Sequence, residues 1–278
     1  MAPAETLERL TRWIEAYEQQ QPGDPAGPEA RPAPVANRWR QQLREVCRQG
    51  WAERWRDPTA RPRWADRGVS PEIVAAVQSG WCPARGWVLD VGCGLGEVTA
   101  WFAHQGFRAT GIDFPEAIEK AAQRHAAFLA PSSGSGMAVG GGDPEADGLL
   151  SGAWASDAAL QFMALDICAE EVPPLQFDVL IDRGCLHAIP LFLHDHYVRN
   201  MAALAAPGAK MLLFIKAFRK GQPFADQRES EHHHRWVSRL FSGLFAIEDQ
   251  APTYLNAGGV CDPANPLPGL VFWLRRSG

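Results

Sequence analysis

Val88-Leu89-Asp90-Val91-Gly92-Cys93-Gly94-Leu95-Gly96-Glu97-Val98 decides the fold of this 278-residue chain. An apolar, β-branched run ends at Asp90. Three glycines follow at alternate positions, and Trp101, Phe102 and Ala103 then continue a helix-compatible segment. This spells strand, tight turn, helix. Glycines leave no Cβ between the backbone and a ligand. The helix N-terminus beyond them presents unsatisfied N–H donors.

Outward from this turn the chain reads as α/β. Strands are expected at 87–91, 108–113, 160–165, 177–181, 210–216, 244–249 and 270–274. Helices are expected at 96–105, 115–129, 193–206 and 230–243. Strands alternating with helices imply a doubly wound, largely parallel sheet. Ahead of it, Leu7, Leu10, Ile14 and Tyr17 recur at helical spacing over 5–20. Residues 21–36 form a Pro/Gly linker. A helix over 37–48 points Trp39, Leu43 and Val46 inward, with Gly50 ending it, and 71–80 form a short helix opened by Pro71. The expected organisation is thus 1–36 as helix and linker, 37–84 as a helical and aromatic lid, and 85–278 as the main domain. Gly/Ser/Asp-rich residues 131–157 form an aperiodic, flexible insertion.

Composition narrows the function classes. Net charge is −5 and the pI about 5.9, which disfavours a nucleic-acid partner. No stretch approaches the ~20 apolar residues of a membrane span. An early acid and no apolar h-region argue against an export signal. Six scattered cysteines without CxxC spacing read as reduced thiols. A cytoplasmic address is the expectation.

Sheets of this kind bind ligands beyond the carboxyl ends of their strands. Four of those ends carry an acid: Asp90, Asp113, Asp166 and Asp182. Asp113 closes the second strand, where a carboxylate accepts ribose hydroxyls and also suits a helix N-cap ahead of Phe114-Pro115-Glu116. The glycine spacing is D-x-G-x-G-x-G, not the G-x-G-x-x-G that seats a pyrophosphate. An acid before the first glycine repels a diphosphate and suits an ammonium and a sulfonium. The pattern therefore favours S-adenosylmethionine over a nicotinamide dinucleotide. Trp51, Trp55 and Trp64 lie close in sequence. They either pack under a loop or form a lid of indole faces over a cation; Trp55, Trp64 and Phe114 are candidate cofactor contacts on the second reading.

At these residues the sequence resembles the class I S-adenosylmethionine-dependent methyltransferases. VLDVGCGLG (88–96) resembles their first motif, GID ending at Asp113 the second, LDIC (165–168) the third and FDVLIDRGCLHAI (177–189) the fourth. The resemblance covers about 85–276 and implies a seven-stranded, mostly parallel Rossmann-like sheet whose last strand is antiparallel. It further implies that Gly92, Gly94 and Gly96 wrap the methionine part, Asp113 holds the ribose, Asp166 with Ile167 holds the adenine, and Asp182 lies near the methionyl end and the substrate. The Trp-rich segment ahead of the glycine turn is similar to the thiopurine and thiol methyltransferase group, which implies a thiol or other soft acceptor.

His187, just past strand four, is the general-base candidate or a packed structural histidine. Arg183 orients an anionic substrate or pairs with a carboxylate. Cys185 reads as a buried, inert thiol. Consecutive His232, His233 and His234 point in different directions and read as a solvated helix end, not a metal site. No Asn/Asp-Pro-Pro-aromatic tetrapeptide follows strand four, which disfavours DNA bases as acceptors. The expected function is methyl transfer to a small molecule at sulfur, with oxygen or nitrogen acceptors as alternatives. Two other classes stand beside it: a nicotinamide oxidoreductase, and a catalytically silent cofactor-binding protein that engages a protein partner through the N-terminal helices.

Overall fold

The computed structural model describes residues 37–57, 68–129, 159–217 and 227–278. The helix expected at 5–20, the linker, Trp64 and the segment 131–157 lie outside the described residues.

Seven strands form one sheet in the order β3-β2-β1-β4-β5-β7-β6. They are β1 (Trp87–Val91), β2 (Arg108–Asp113), β3 (Leu160–Ala164), β4 (Phe177–Arg183), β5 (Ala205–Lys216), β6 (Phe245–Tyr254) and β7 (Pro268–Arg276). β1 pairs in parallel with β2 and β4, β2 with β3 and β4 with β5. β7 enters antiparallel between β5 and β6. The chain reverses direction across the sheet between β1 and β4, and the ligand crevice of such folds opens at that point.

The strands are apolar on both faces because helices cover both. Alternation divides the core. Leu89, Leu180, Met211 and Leu213 point to one side, where Tyr197, Met201 and Phe241 pack. Val88, Val179, Ile181, Leu212 and Phe214 point to the other, against Ile73 and Phe102. The helices are α1 (Asn37–Arg56), α2 (Pro71–Gln78), α3 (Glu97–His104), α4 (Pro115–Arg124), α5 (Ala126–Leu129), α6 (His194–Leu204) and α7 (Gln227–Leu240).

Several boundaries depart from the sequence reading. α1 does not stop at Gly50 but runs to Arg56. A glycine inside a helix costs about 1 kcal/mol, which the burial of Ala52 and Trp55 on the following turn offsets. β5 begins at Ala205 and absorbs Pro207-Gly208. β6 runs on to Tyr254 through Pro252, which a strand at the sheet edge tolerates. The helix expected over 115–129 breaks at His125. His233 is fully buried, not solvated, with its Nδ1 2.8 Å from the Glu229 carbonyl oxygen. Among the described residues no helix is long and apolar enough to cross a membrane.

Candidate active site

The carboxyl ends of β1 to β5 open into one cavity of about 270 Å³, covered by α1. The glycine turn forms its floor. Gly92 has φ +66, and a Cβ there would lie 2.8 Å from Cβ of Cys185. Gly94 has φ +55 and faces the Trp55 ring. Position 92 needs glycine for conformation and for space, and position 94 for conformation. Gly96 precedes α3 beneath Phe162 and is not on the cavity wall.

Three acids line one side. Asp90 is almost fully buried and accepts the Thr99 hydroxyl at 2.6 Å. Burial pushes its pKa up to about 7, against the Thr99 bond that lowers it. Asp113 accepts the N–H of Gly94 at 2.9 Å and that of Phe114 at 2.7 Å. It thus ties the glycine turn to the end of β2. Burial raises it to about 6. Each carboxylate oxygen has a second lone pair, so ribose hydroxyls can still be accepted. Asp166 accepts the Cys168 N–H at 2.8 Å and the Arg44 Nε–H at 2.7 Å. Ile167 and Phe114 supply apolar surface beside them.

Asp182 stands apart. It is fully buried and does not line the cavity. Its carboxylate accepts N–H groups of Gly184, Cys185 and Leu186 at 2.8, 2.7 and 2.9 Å and the Tyr197 hydroxyl at 2.6 Å. Four donors fill this carboxylate and fix the turn after β4. The expected place for Asp182, beside the methionyl end and the substrate, is corrected accordingly: it shapes the wall from behind.

The turn it holds carries the other side of the cavity. Arg183 donates from Nε to the Ser70 hydroxyl at 2.7 Å and from Nη2 to the Asn256 and Leu255 carbonyls. His187 opens onto the cavity, yet the protein around that opening holds its pKa down to about 4. Burial is the main cause and the Lys216 ammonium adds to it, with the nearby Phe214 carbonyl opposing them. The imidazole is therefore neutral at physiological pH. Cys185 also lines the wall, and burial holds its thiol well above the usual range, so it stays protonated. Trp55 is buried and packs over the glycine turn from α1, with Trp51 one turn before it on the cavity wall.

The sequence reading missed Arg44, Cys47, Arg48 and Lys216, which all line the cavity. Arg44, Cys47, Arg48, Trp51 and Trp55 follow helical spacing, a stripe hidden by the weight given to Trp39, Leu43 and Val46. No motif marks Lys216; only its place at the end of β5 does.

The donor set fits S-adenosylmethionine. Gly92 leaves a space that a Cβ would fill, and Asp90 and Asp113 beside it are bonded to the Thr99 hydroxyl and to backbone N–H groups. Arg44 and Arg48 reach the cavity from α1 already paired with Asp166 and Glu45.

Residues 63–245 match a methyltransferase domain family. Among curated proteins, the chain is 26% identical over 202 residues to a 2-heptyl-1-hydroxyquinolin-4(1H)-one methyltransferase of Mycobacteroides abscessus, covering 72% of this chain and 75% of that protein. It is 27% identical over 164 residues to a thiopurine S-methyltransferase of Legionella pneumophila, covering 59% of this chain and 67% of that protein. Its fold is similar to that of a Burkholderia thailandensis 1,6-didemethyltoxoflavin-N1-methyltransferase, solved with S-adenosylhomocysteine. That likeness has a TM-score of 0.56 and 20% identity, over 92% of this chain and 97% of that one.

Proposed function

Because this chain belongs to the methyltransferase domain family, we propose that it carries a methyl group from S-adenosylmethionine to a small-molecule thiol or similarly soft nucleophile seated at the ends of β4 and β5. It is an S-adenosylmethionine-dependent methyltransferase. The nicotinamide and silent-binder readings fall away with that assignment.

One observation carries the finer reading. Taken in strand order β3-β2-β1-β4-β5, the cavity wall presents Asp166, Asp113 and Asp90, and then Arg183, His187 and Lys216. At the strand ends the acids fall on the half that suits a cationic donor, and Arg183, His187 and Lys216 on the half left for an acceptor. The cations Arg44 and Arg48 come instead from α1 and are paired with Asp166 and Glu45. The boundary between β1 and β4 is where the two halves meet.

When bound, the donor supplies an electrophilic methyl on a sulfonium. The residues of the chain provide everything else. Asp90 and the Gly92 and Gly94 backbone take the methionyl end. Asp113 takes the ribose, and Ile167 with Asp166 takes the adenine. Trp55 and Trp51 cover the site and keep water out. His187, neutral, offers its imidazole to an acceptor that arrives protonated. Alignment rather than proton transfer dominates a displacement at a sulfonium, so a thiolate needs little help from His187.

The relative named for a 1-hydroxyquinolin-4(1H)-one supports a second reading, with a hydroxyl oxygen as acceptor. A panel of aromatic thiols, hydroxy-heteroaromatics and amines, incubated with methyl-labelled donor, tests both. Transfer to thiols above all supports the first reading and transfer to hydroxyls the second. Transfer to amines alone contradicts both.

A further inference from the structure

Lys216 is the last residue of β5. Its register is fixed by pairing with Gly269 of β7 and by the Ala217 N–H donating to the Pro268 carbonyl at 2.9 Å. Ile215 before it is fully buried in the core, and alternation sends Lys216 the other way, onto the cavity wall. Two residues back, the Phe214 carbonyl is near enough to His187 to oppose the lowering of its pKa. One strand end thus borders both groups.

Among the described residues the Lys216 ammonium has no carboxylate partner. Arg183, the other cation on this side, spends donors on Ser70, Asn256 and Leu255. Apolar surface from Leu255 and Leu267 adjoins the same wall, where the Leu255 carbonyl accepts from Arg183 and the Leu255 N–H donates to the Leu267 carbonyl. An acceptor that fills this half removes water from the ammonium. A neutral or cationic acceptor brings that ammonium no counter-charge, whereas an anionic one replaces the lost hydration.

We propose that Lys216 is a specificity-determining residue that holds the methyl acceptor as its anion, and that the acceptor carries an ionised thiol or hydroxyl on an apolar body. This rests on the division of the cavity into donor and acceptor halves argued above. The step balances without a base. The acceptor loses its proton to solvent on binding. Its lone pair then forms the new bond to the methyl carbon, while the carbon–sulfur bond of the donor breaks and leaves its electron pair on sulfur. Sulfonium and anion both become neutral, so the attraction of Lys216 for the methylated product vanishes and release is favoured. An ammonium that stabilises the bound anion also lowers its nucleophilicity, so the effect of Lys216 belongs in acceptor affinity more than in turnover.

Calorimetry in saturating S-adenosylhomocysteine tests this with two probes, 4-nitrothiophenolate and its neutral methylated counterpart 4-nitrothioanisole. The wild type is expected to bind the thiolate. Lys216→Met is expected to bind it at least ~10-fold more weakly, about 1.4 kcal/mol, with Lys216→Arg within a few-fold of wild type. All three should bind 4-nitrothioanisole alike, and their equal affinity for S-adenosylhomocysteine shows that the variants are folded. Equal thiolate affinity in wild type and Lys216→Met, or no thiolate binding by a wild type that holds S-adenosylhomocysteine, overturns the proposal. Failure of the wild type to bind S-adenosylhomocysteine at all instead overturns the donor half of the reading, and this inference with it.

Discussion

Arg44 of α1 and Asp166 beyond β3 are joined by a hydrogen-bonded ion pair, Nε to Oδ2, of 2.7 Å. Its partners are 122 residues apart in sequence. The pair clamps the N-terminal helix over the cavity at the end where the adenine is expected. A second pair, Arg56 to Glu116, fastens the far end of α1 to α4.

Arg44→Ala is therefore expected to loosen the cover rather than the fold. Partly exposed pairs contribute about 0.2–1 kcal/mol, so global stability should change little. S-Adenosylhomocysteine should dissociate ~3-fold faster in stopped-flow fluorescence, which the tryptophans of α1 report. An unchanged rate would mean that α1 is no lid.

Tyr197→Phe removes one of the four donors to Asp182. Burial raises Asp182 to about 6 from the ordinary 3.8. The native state thus holds this proton more tightly than the unfolded chain does. The resulting stability is full below about pH 4 and is lost as pH rises through 6. Above that, the buried carboxylate is ionised and leans on its donors. The substitution should cost about 1.5–3 kcal/mol at pH 8, as for a bond to a charged group, and about 0.5–1.5 kcal/mol at pH 5. Urea denaturation at the two pH values measures the difference; equal losses would show that Asp182 does not titrate in this range.

Asp90 titrates near 7 in the free protein, and a cationic donor binds the ionised form better. Affinity for S-adenosylmethionine should then fall as pH drops from 8 to 6, approaching about tenfold per unit below 7, with a proton released on binding. Asp90→Asn should flatten this dependence and weaken binding by about 1.5–3 kcal/mol. Calorimetry in buffers of different ionisation heat counts the proton; a flat wild-type profile would remove Asp90 from the donor site.

His187 is neutral above about pH 4, so it should place no inflection in activity between pH 5 and 8. His187→Ala should leave kcat for a thiol acceptor within ~3-fold. For an acceptor whose hydroxyl must lose a proton in the transition state, the loss should be about 10²–10⁴-fold, the usual worth of a positioned base. Steady-state rates with matched thiol and hydroxyl acceptors distinguish the two. A large loss with a thiol would show that His187 does more than take a proton.

The sheet was legible in the sequence because its strands are covered on both faces. Val88 to Val91, Phe177 to Ile181 and Met211 to Ile215 are nearly continuous apolar runs, broken by acids or basic residues at their ends. The glycine turn was legible because positive φ demands glycine at 92 and 94, and close approach to Cys185 demands it again at 92. What escaped has a common cause. Gly50 sits inside α1 and Pro207-Gly208 inside β5 because tertiary packing outweighs local propensity there. Asp182 looked like its three acidic counterparts, since nothing in the residue itself tells whether its carboxylate faces the cavity or the turn behind it. Arg44 and Lys216 acquire meaning only when distant segments meet: one against Asp166, the other beside His187.

The most direct measurement is a crystal structure of the protein with S-adenosylhomocysteine. The adenine should lie beside Ile167 and Asp166, with the ribose on Asp113. The sulfur should sit over Gly92, directed across the β1–β4 boundary toward His187 and Lys216. A ligand bound the other way round, its sulfur near Asp166 and its adenine against Lys216, would contradict the assignment of the two halves.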